Sequence, residues 1–141
     1  MCSSDLGTND GLHTREEWSA AIVRAATAAE LAANLAIRRE FESRTTFDSE
    51  FINSLLLWAN GLAGKIDRLL IPLSVGGKQH ATITALRATS GQINARRNAI
   101  AHQGEFSNEK EAKATIRQAR EFIETLVRLY EPQFALKDKK R

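Results

Sequence analysis

The sequence has little cysteine and little proline, and its aromatic content is low. Its 141 residues include one cysteine, so no internal disulfide can form, and the three histidines lie far apart in the chain. A disulfide scaffold and a thiolate zinc site are therefore excluded, which favours a reducing compartment such as the cytoplasm. We expect neither a metal nor a cofactor. A chain of this length can bury a substantial core as one compact domain.

Long apolar runs are also missing. No stretch approaches the roughly 20 uncharged apolar residues of a membrane span, and the opening segment lacks an apolar signal core. We therefore expect no membrane association. The chain is predicted to consist of a flexible leader over residues 1–13, one helical domain over residues 14–131, and a basic flexible tail over residues 132–141.

Charge is distributed unevenly along the sequence. The formal net charge is +3, with acidic side chains in excess over residues 1–70 and basic side chains in excess over residues 71–141. Part of the basic excess belongs to the last five residues, KDKKR. The basic second half is compatible with an anionic partner such as a nucleic acid, although an ordinary solvated surface accounts for it equally well.

The long segments between the breaks in the sequence have the apolar spacing of helices. Apolar residues recur at intervals of three and four, and no strand-like alternation of useful length is present. Four helices are predicted, over about 15–42, 49–70 and 79–101 and from residue 107 or 108 to Pro132. Short connections between four such helices predict an all-α fold, an antiparallel four-helix bundle in which an extra short helix is allowed.

Caps and glycines mark the ends of these helices. Thr14 stands three residues before Glu17 in the form of a capping box. Gly61 and Gly64 lie inside the second predicted helix, where we interpret them as a close backbone approach or a mild kink. Gly104 is the predicted stop of the third helix.

The third predicted helix carries an arginine, Arg97, on a seam otherwise built for burial. An unpaired buried charge costs several kcal/mol. Arg97 must therefore pair with an acid, or face a wet cleft or a partner chain. Glu30, on a polar line of the first helix together with Asn34, is the candidate acid. A purely structural ion pair between Arg97 and Glu30 is the alternative to a functional role.

His102 follows five residues after Arg97. Five residues turn an ideal helix by about 140°, so the two side chains do not share a face. They can converge only if the helix loosens near Ala101 or if two chains contribute. Asn98 and His102, four residues apart, do share a face. The alternative for His102 is a residue favoured at this position by the helix dipole.

The segment RNAIAH over residues 97–102 resembles the R-x4-6-H motif of the HEPN superfamily, including the polar residue that often follows the arginine. In that family the motif lies late in the third helix of a four- or five-helix bundle. Glu30 and Asn34 in the first helix are also similar to HEPN domains. The resemblance covers about Trp18 to Tyr130, and the position of the motif in the chain makes it specific.

The resemblance implies a metal-independent endoribonuclease that acts as a homodimer with a composite active site. Arg97 and His102 would be catalytic, supported by Asn98, Glu30 and Asn34. The 2′-hydroxyl of RNA supplies the nucleophile, imidazole moves protons, and guanidinium holds the phosphate. The products would be a 2′,3′-cyclic phosphate and a 5′-hydroxyl. Further candidates for contacts with RNA are Arg96, Arg87 and Lys78.

The family analogy also indicates a setting in toxin–antitoxin or antiviral defence, with a cognate antitoxin or another protein as partner. One toxin group in the family carries a modified tyrosine two residues after the histidine. Gly104 occupies that position here, so we do not expect that regulation. The alternative to an enzyme is a non-catalytic HEPN-like module for nucleotide binding, protein binding or dimerisation. A plain helical subunit that binds a partner protein is a third possibility.

Overall fold

A computed structural model of the chain describes residues 3–44, 49–59, 61–103 and 107–137. These ranges are helical throughout apart from turns and one C-terminal extension, and they contain no strand, which confirms the all-α prediction. The elements are α1 (Ser3–Arg44), α2 (Ser49–Trp58), α3 (Leu62–Gly64), a π-helical segment (Lys65–Leu70), α4 (Ile71–Ser74), α5 (His80–Ala85), α6 (Arg87–Gln103) and α7 (Glu109–Arg128).

The core forms where α1 and α7 pack along each other, the most extensive helix pairing in the described chain. Ala29, Ala33 and Ala36 of α1 are fully buried, as are Phe122 and Leu126 of α7. Alanine adds little bulk to a helix, so α7 can bring its large side chains close to the α1 backbone. Burial of apolar surface from both helices is the main driving force for the pairing.

Part of α1 also has the length and apolar composition of a membrane span. This stretch, Glu16–Arg44, is the one helix among the described residues that meets both criteria. The core helix of a soluble protein meets the same criteria, and here the alanine face lies in the core. Arg24 and Glu30 interrupt the stretch, which is why no long uncharged run is visible in the sequence.

The helix bounds differ from the prediction at several places. The first helix begins at Ser3, not near Arg15, so Thr14 of the predicted capping box lies inside α1 instead of at its start. A turn at Leu86 divides the third predicted helix into α5 and α6. The predicted stop at Gly104 lies outside the described residues. The start of α7 is as predicted, since the Asn108 side chain accepts a hydrogen bond from the Glu111 backbone N–H at 2.8 Å.

The second predicted helix, residues 49–70, is broken at Gly61. This residue has φ 86° and ψ 157°, a conformation that is essentially restricted to glycine. The chain therefore turns between α2 and α3 instead of continuing with a mild kink. Helical structure then extends past the predicted break at Pro72 to Ser74. The π-helical turns lie just before Pro72, which lacks the N–H for an α-helical bond to the Arg68 carbonyl.

A buried carboxylate fastens the end of α1 to the end of α7. Glu40 is buried and accepts a hydrogen bond from the Tyr130 hydroxyl at 2.6 Å and another from Arg44 Nε at 3.0 Å. A second link, between Arg39 and Glu131, lies nearby. Burial and the hydrogen bond to Glu40 raise the pKa of Tyr130 well above its ordinary value.

The residues after α7 fold back along it. Phe134 and Leu136 are partly buried against the core, although the sequence analysis placed them in a flexible tail from residue 132 on. Arg128 Nε donates to the Phe134 carbonyl at 2.8 Å, and the Leu136 N–H donates to Glu124 Oε2 at 3.0 Å. This segment docks because its two apolar side chains are partly buried and because its backbone is hydrogen-bonded to the charged side chains of Arg128 and Glu124. The last four residues of the predicted tail lie outside the described ranges.

Replacing Gly61 with alanine should lower the free energy of unfolding by about 1–3 kcal/mol, because alanine disfavours the positive φ. Its Cβ would meet Asn94 Oδ1 at 3.5 Å, an ordinary contact, so the loss comes from the backbone. Gly64→Ala is the matched control. Gly64 has helical angles, and a Cβ there would make only an ordinary contact with the Ala59 backbone at 3.7 Å, so alanine should stabilise the protein by up to about 1 kcal/mol. Urea denaturation measures both effects, and equal effects at the two sites would contradict the assignment.

Tyr130→Phe should lower the free energy of unfolding at neutral pH by about 1–3 kcal/mol, because Glu40 loses a buried donor. The variant also tests the raised pKa of Tyr130, the only tyrosine in the chain. A raised pKa adds to the free energy of unfolding, and this addition is complete below pH ~10. It is lost as the pH rises above ~10, because there the phenol ionises only in the unfolded chain. Above pH ~10, stability should therefore fall more steeply in the unmodified chain than in Tyr130→Phe. Parallel pH profiles would exclude the raised pKa.

Candidate functional site

The RNAIAH motif lies near the end of α6, which is held in place by the core and by α3. Ile93 is fully buried on the inner face of the helix. One residue later, Asn94 Oδ1 accepts a hydrogen bond from the Ala63 backbone N–H at 3.4 Å. Gly61 lies against the same Asn94 oxygen, so the break after α2 and the motif helix meet at one point. The position of the motif relative to the bundle is thereby fixed.

Arg97 is partly buried, and no carboxylate pairs with it in the part of the chain that the structure describes. Its Nη1 donates to Asn98 Oδ1 at 3.5 Å, which is a long hydrogen bond between sequence neighbours. The predicted partner, Glu30, forms its ion pair with another residue. The expectation that Glu30 is the acid for Arg97 is therefore wrong, and the guanidinium keeps most of its donors available.

His102 is exposed at the penultimate position of α6. Within the described ranges, no side chain or backbone group is hydrogen-bonded to its ring. The helix stays intact through Gln103, so the loosening near Ala101 that would turn His102 towards Arg97 does not occur. Helix geometry separates the two side chains by about 140° around the α6 axis. In a single copy of the chain, Arg97 and His102 do not share a face.

Glu30 pairs with Lys65, a residue that the sequence analysis did not single out. Lys65 Nζ lies 2.7 Å from Glu30 Oε2, and the lysine side chain is 5% exposed whereas that of Glu30 is 28% exposed. Lys65 stands three residues after Leu62 and four before Leu69, both of which are buried. That spacing on an apolar seam is the signal that could have revealed a buried lysine.

Asn34, the other supporting residue predicted on α1, lies one turn beyond Glu30. Its Oδ1 atom is buried and accepts no hydrogen bond. Glu30 and Asn34 both line an open groove of about 480 Å³ between α1, α2 and the π-helical segment. The other residues that line the groove are Arg38, Asn53, Leu56, Leu57 and Lys65. Arg38 donates to the Asn53 side chain across the groove.

The three cations predicted to contact RNA differ in their surroundings. Arg87 pairs with Asp67 at 2.7 Å, and Arg96 lies 3.6 Å from Glu111. Lys78 is exposed in the loop before α5 and pairs with none of the described residues. Arg96 also lines two shallow grooves of about 220 and 380 Å³ beside α6. Arg96 directly precedes Arg97 in the sequence and is therefore the candidate nearest to the motif.

In the described part of the chain, no group of three or more histidine, cysteine, aspartate or glutamate side chains could hold a metal ion. No family model matches the chain, and no curated protein or solved structure shows significant similarity to it.

Removing Glu30 should be more destabilising than removing Lys65. Glu30→Ala leaves an unpaired ammonium that is 5% exposed, at an expected cost of about 3 kcal/mol in the free energy of unfolding. Lys65→Met fills the same space with an apolar chain and leaves a carboxylate that reaches water, at an expected cost of about 1 kcal/mol or less. Chemical denaturation measures both. Glu109→Ala, which breaks an exposed pair with Lys113, is the control and should change little. A larger loss in Lys65→Met than in Glu30→Ala would contradict the burial of the pair.

Proposed function

We propose that the protein is a metal-independent endoribonuclease of the HEPN type, in which Arg97 and His102 carry out the chemistry. The observation that carries the proposal is Arg97 itself. This arginine is partly buried, and its guanidinium is paired with no carboxylate of the described residues. An arginine that is fully removed from water needs an acid to neutralise it, and Arg97 is partly removed from water without one. A guanidinium kept without one is suited to an anionic ligand such as the phosphate of RNA.

The chemistry follows from the residue types. His102 takes the proton from the 2′-hydroxyl of RNA, and the resulting oxygen attacks the adjacent phosphorus. The bond to the 5′-oxygen breaks, and that oxygen leaves with a proton returned by an imidazole. Arg97 offsets the charge that grows on the phosphate oxygens, and Asn98 orients the guanidinium or hydrogen-bonds the phosphate. The products are a 2′,3′-cyclic phosphate and a 5′-hydroxyl.

The active unit of this proposal is a homodimer. Because α6 is unbroken, Arg97 and His102 of one copy point to different sides of the helix. A second copy that packs against the end of α6 can bring its own histidine to the arginine of the first. The bundle would then correspond to the four-helix HEPN arrangement, with α1, the α3–α4 region, α6 and α7 as its long elements.

The biological setting proposed here is toxin–antitoxin or antiviral defence in the cytoplasm, with RNA as substrate and a cognate antitoxin or another protein as partner. This part rests on the resemblance of the motif alone. The basic second half of the sequence supports an anionic substrate. Of the basic residues outside the motif, Arg96 and Lys78 are the candidates to contact the RNA backbone.

A non-catalytic HEPN-like module for nucleotide or protein binding is the second candidate. It is favoured by the ring of His102, which no described group orients, whereas a catalytic histidine usually has a hydrogen bond that fixes its tautomer. The groove beside Glu30 and Asn34 would then be the binding site of the module. Ligand binding without RNA cleavage distinguishes this candidate from the enzyme.

The purified chain should cleave RNA in the presence of EDTA, and Arg97→Ala and His102→Ala should each slow cleavage by about a hundredfold or more, since each removes a group that acts in the transition state. Gel analysis of a labelled RNA, with identification of the 2′,3′-cyclic phosphate end, measures both. Arg24→Ala, an exposed arginine on α1, is the control and should cleave normally. Cleavage at an unchanged rate in either motif variant would overturn the assignment.

Mixing the two inactive variants tests the composite site directly. A mixed dimer of Arg97→Ala and His102→Ala protomers retains one intact arginine opposite one intact histidine, so mixing should restore part of the cleavage. Light scattering of the same samples should show dimers. A strictly monomeric chain that still cleaves RNA would exclude the composite site.

A further inference from the structure

The end of α2 carries an aromatic side chain that the fold does not bury. Trp58, the last residue of this helix, is 63% exposed, and its neighbour Leu57 is 79% exposed. The inner side of α2 is formed by Ile52 and Leu56, which are buried in the core. Trp58 therefore lies outside the core, and its large ring is accessible to a binding partner.

A cation lies over this ring. The guanidinium carbon of Arg68, in the π-helical segment, is 5.7 Å from the centroid of the Trp58 ring, within the range of a cation–π contact. Arg68 is exposed and forms no ion pair with any residue that the structure describes. The carboxylate next to it in the sequence, Asp67, is engaged by Arg87 at 2.7 Å. The positive charge of Arg68 is therefore available to an anion beside the ring.

A second arginine without an acidic partner lies nearby. Leu57 lines the groove between α1, α2 and the π-helical segment, and Arg38 lines the same groove. Within the described ranges, Arg38 is hydrogen-bonded to a neutral amide and pairs with no acid. The ion pair of Glu30 and Lys65 in the groove carries no net charge. The surface around Leu57 and Trp58 thus combines exposed apolar groups with positive charge.

The end of α2 lies close to the motif helix. Gly61 follows Trp58 by three residues and lies against the Asn94 side chain of α6. Arg97 stands three residues further along α6, about 4.5 Å along the helix axis. Because three residues of chain span at most about 11 Å, Trp58 and the motif lie in neighbouring parts of the molecule.

We propose that Trp58 and Arg68 form a stacking platform for a base of single-stranded RNA. An exposed indole ring accepts the face of any base, and the adjacent guanidinium holds a phosphate of the same strand. A duplex does not fit this role, because its bases are stacked on one another and are not splayed out. That the bound strand is the substrate of the motif rests on the proposed function.

The charge on the ring favours a nucleic acid over an apolar protein surface. A protein surface that covered the Trp58 ring would also cover the guanidinium of Arg68, and a charge that is buried without an acid is costly. A nucleic acid supplies one negative charge with each nucleotide and so compensates the arginine as it covers the ring. Binding to the platform should therefore weaken as the salt concentration rises.

Fluorescence tests the contact directly, because Trp18 and Trp58 are the two tryptophans of the chain. The strand is an oligouridylate of about ten nucleotides, a length typical of single-strand sites, and His102→Ala keeps it intact. In His102→Ala with Trp18→Phe, binding should quench the remaining emission, since the base stacks on Trp58. In the matched chain that carries Trp58→Phe instead, the strand should leave the emission of Trp18 unchanged.

Dissociation constants separate stacking from simple attraction between charges. In the His102→Ala chain, Trp58→Ala should raise the dissociation constant for oligouridylate about tenfold or more, and Trp58→Phe should raise it less because a smaller ring remains. Arg68→Gln should also raise it and should make binding less dependent on salt, since one phosphate contact is lost. Arg24→Ala, which removes an exposed arginine of α1, is the matched control and should bind normally. An abasic strand of equal length should bind the His102→Ala chain as weakly as oligouridylate binds Trp58→Ala.

Several results would each overturn the proposal. One is an emission of Trp58 that the strand leaves unchanged, another is an affinity that Trp58→Ala does not alter, and a third is an abasic strand that binds as tightly as oligouridylate. Light scattering covers the other occupant of this surface. If Trp58→Ala converts a dimer into a monomer and leaves the affinity for RNA unchanged, the surface is a contact between copies of the chain and is no platform.

The same measurements distinguish failure of the platform from failure of the nuclease proposal. If the strand binds through Trp58 but the chain with His102 intact cuts no RNA, the nuclease proposal fails and the platform stands. If the chain cuts RNA and Trp58→Ala neither weakens binding nor slows cleavage of RNA below saturation, the platform fails and the nuclease proposal stands.

Discussion

The architecture depends on the close packing of the alanine face of α1 against α7. Ala29, Ala33 and Ala36 are fully buried in the same core as Phe122 and Leu126, where the two longest described helices lie side by side. A large side chain on that face would force the helices apart, because protein cores are packed at crystal-like density. The direction of the polar line of α1 follows from this contact. With the alanines turned towards α7, Glu30 and Asn34 face the region occupied by α2 and the π-helical segment.

The ion pair between Lys65 and Glu30 follows from that arrangement and divides the predicted site into two parts. The resemblance to the HEPN family placed Arg97, His102, Glu30 and Asn34 in one catalytic group. In the structure, Glu30 is engaged by Lys65, and both line a groove together with Asn34. Arg97 is left with its neighbour Asn98. Arg97 does not line that groove, so the residues that the motif resemblance grouped together lie at two separate places.

The amino-acid sequence is sufficient to predict those features that depend on local periodicity. The spacing of apolar residues identifies the core faces of α1 and α7, and Asn108 with Glu111 identifies the start of α7. The break at Gly61 could not be distinguished from a kink, because glycine is compatible with both. Only the packing of the turned chain against α6, where the Ala63 N–H donates to Asn94, selects the break. The partner of Glu30 was also beyond local patterns. Lys65 is 35 residues away, and only the packing of the π-helical segment against α1 brings the two charges together.

Because α6 is uninterrupted through Gln103, the number of residues between the arginine and the histidine sets the angle between their side chains around the helix axis. Each additional residue in that interval would swing the imidazole by about 100° around the helix and move it about 1.5 Å along the axis. In chains with four, five or six residues between the arginine and the histidine, the imidazole would therefore lie at a different angle around the helix relative to the guanidinium. A second copy would have to approach each of them from a different direction. In the proposed homodimer, the interval in this chain would thus set the angle at which the second copy approaches.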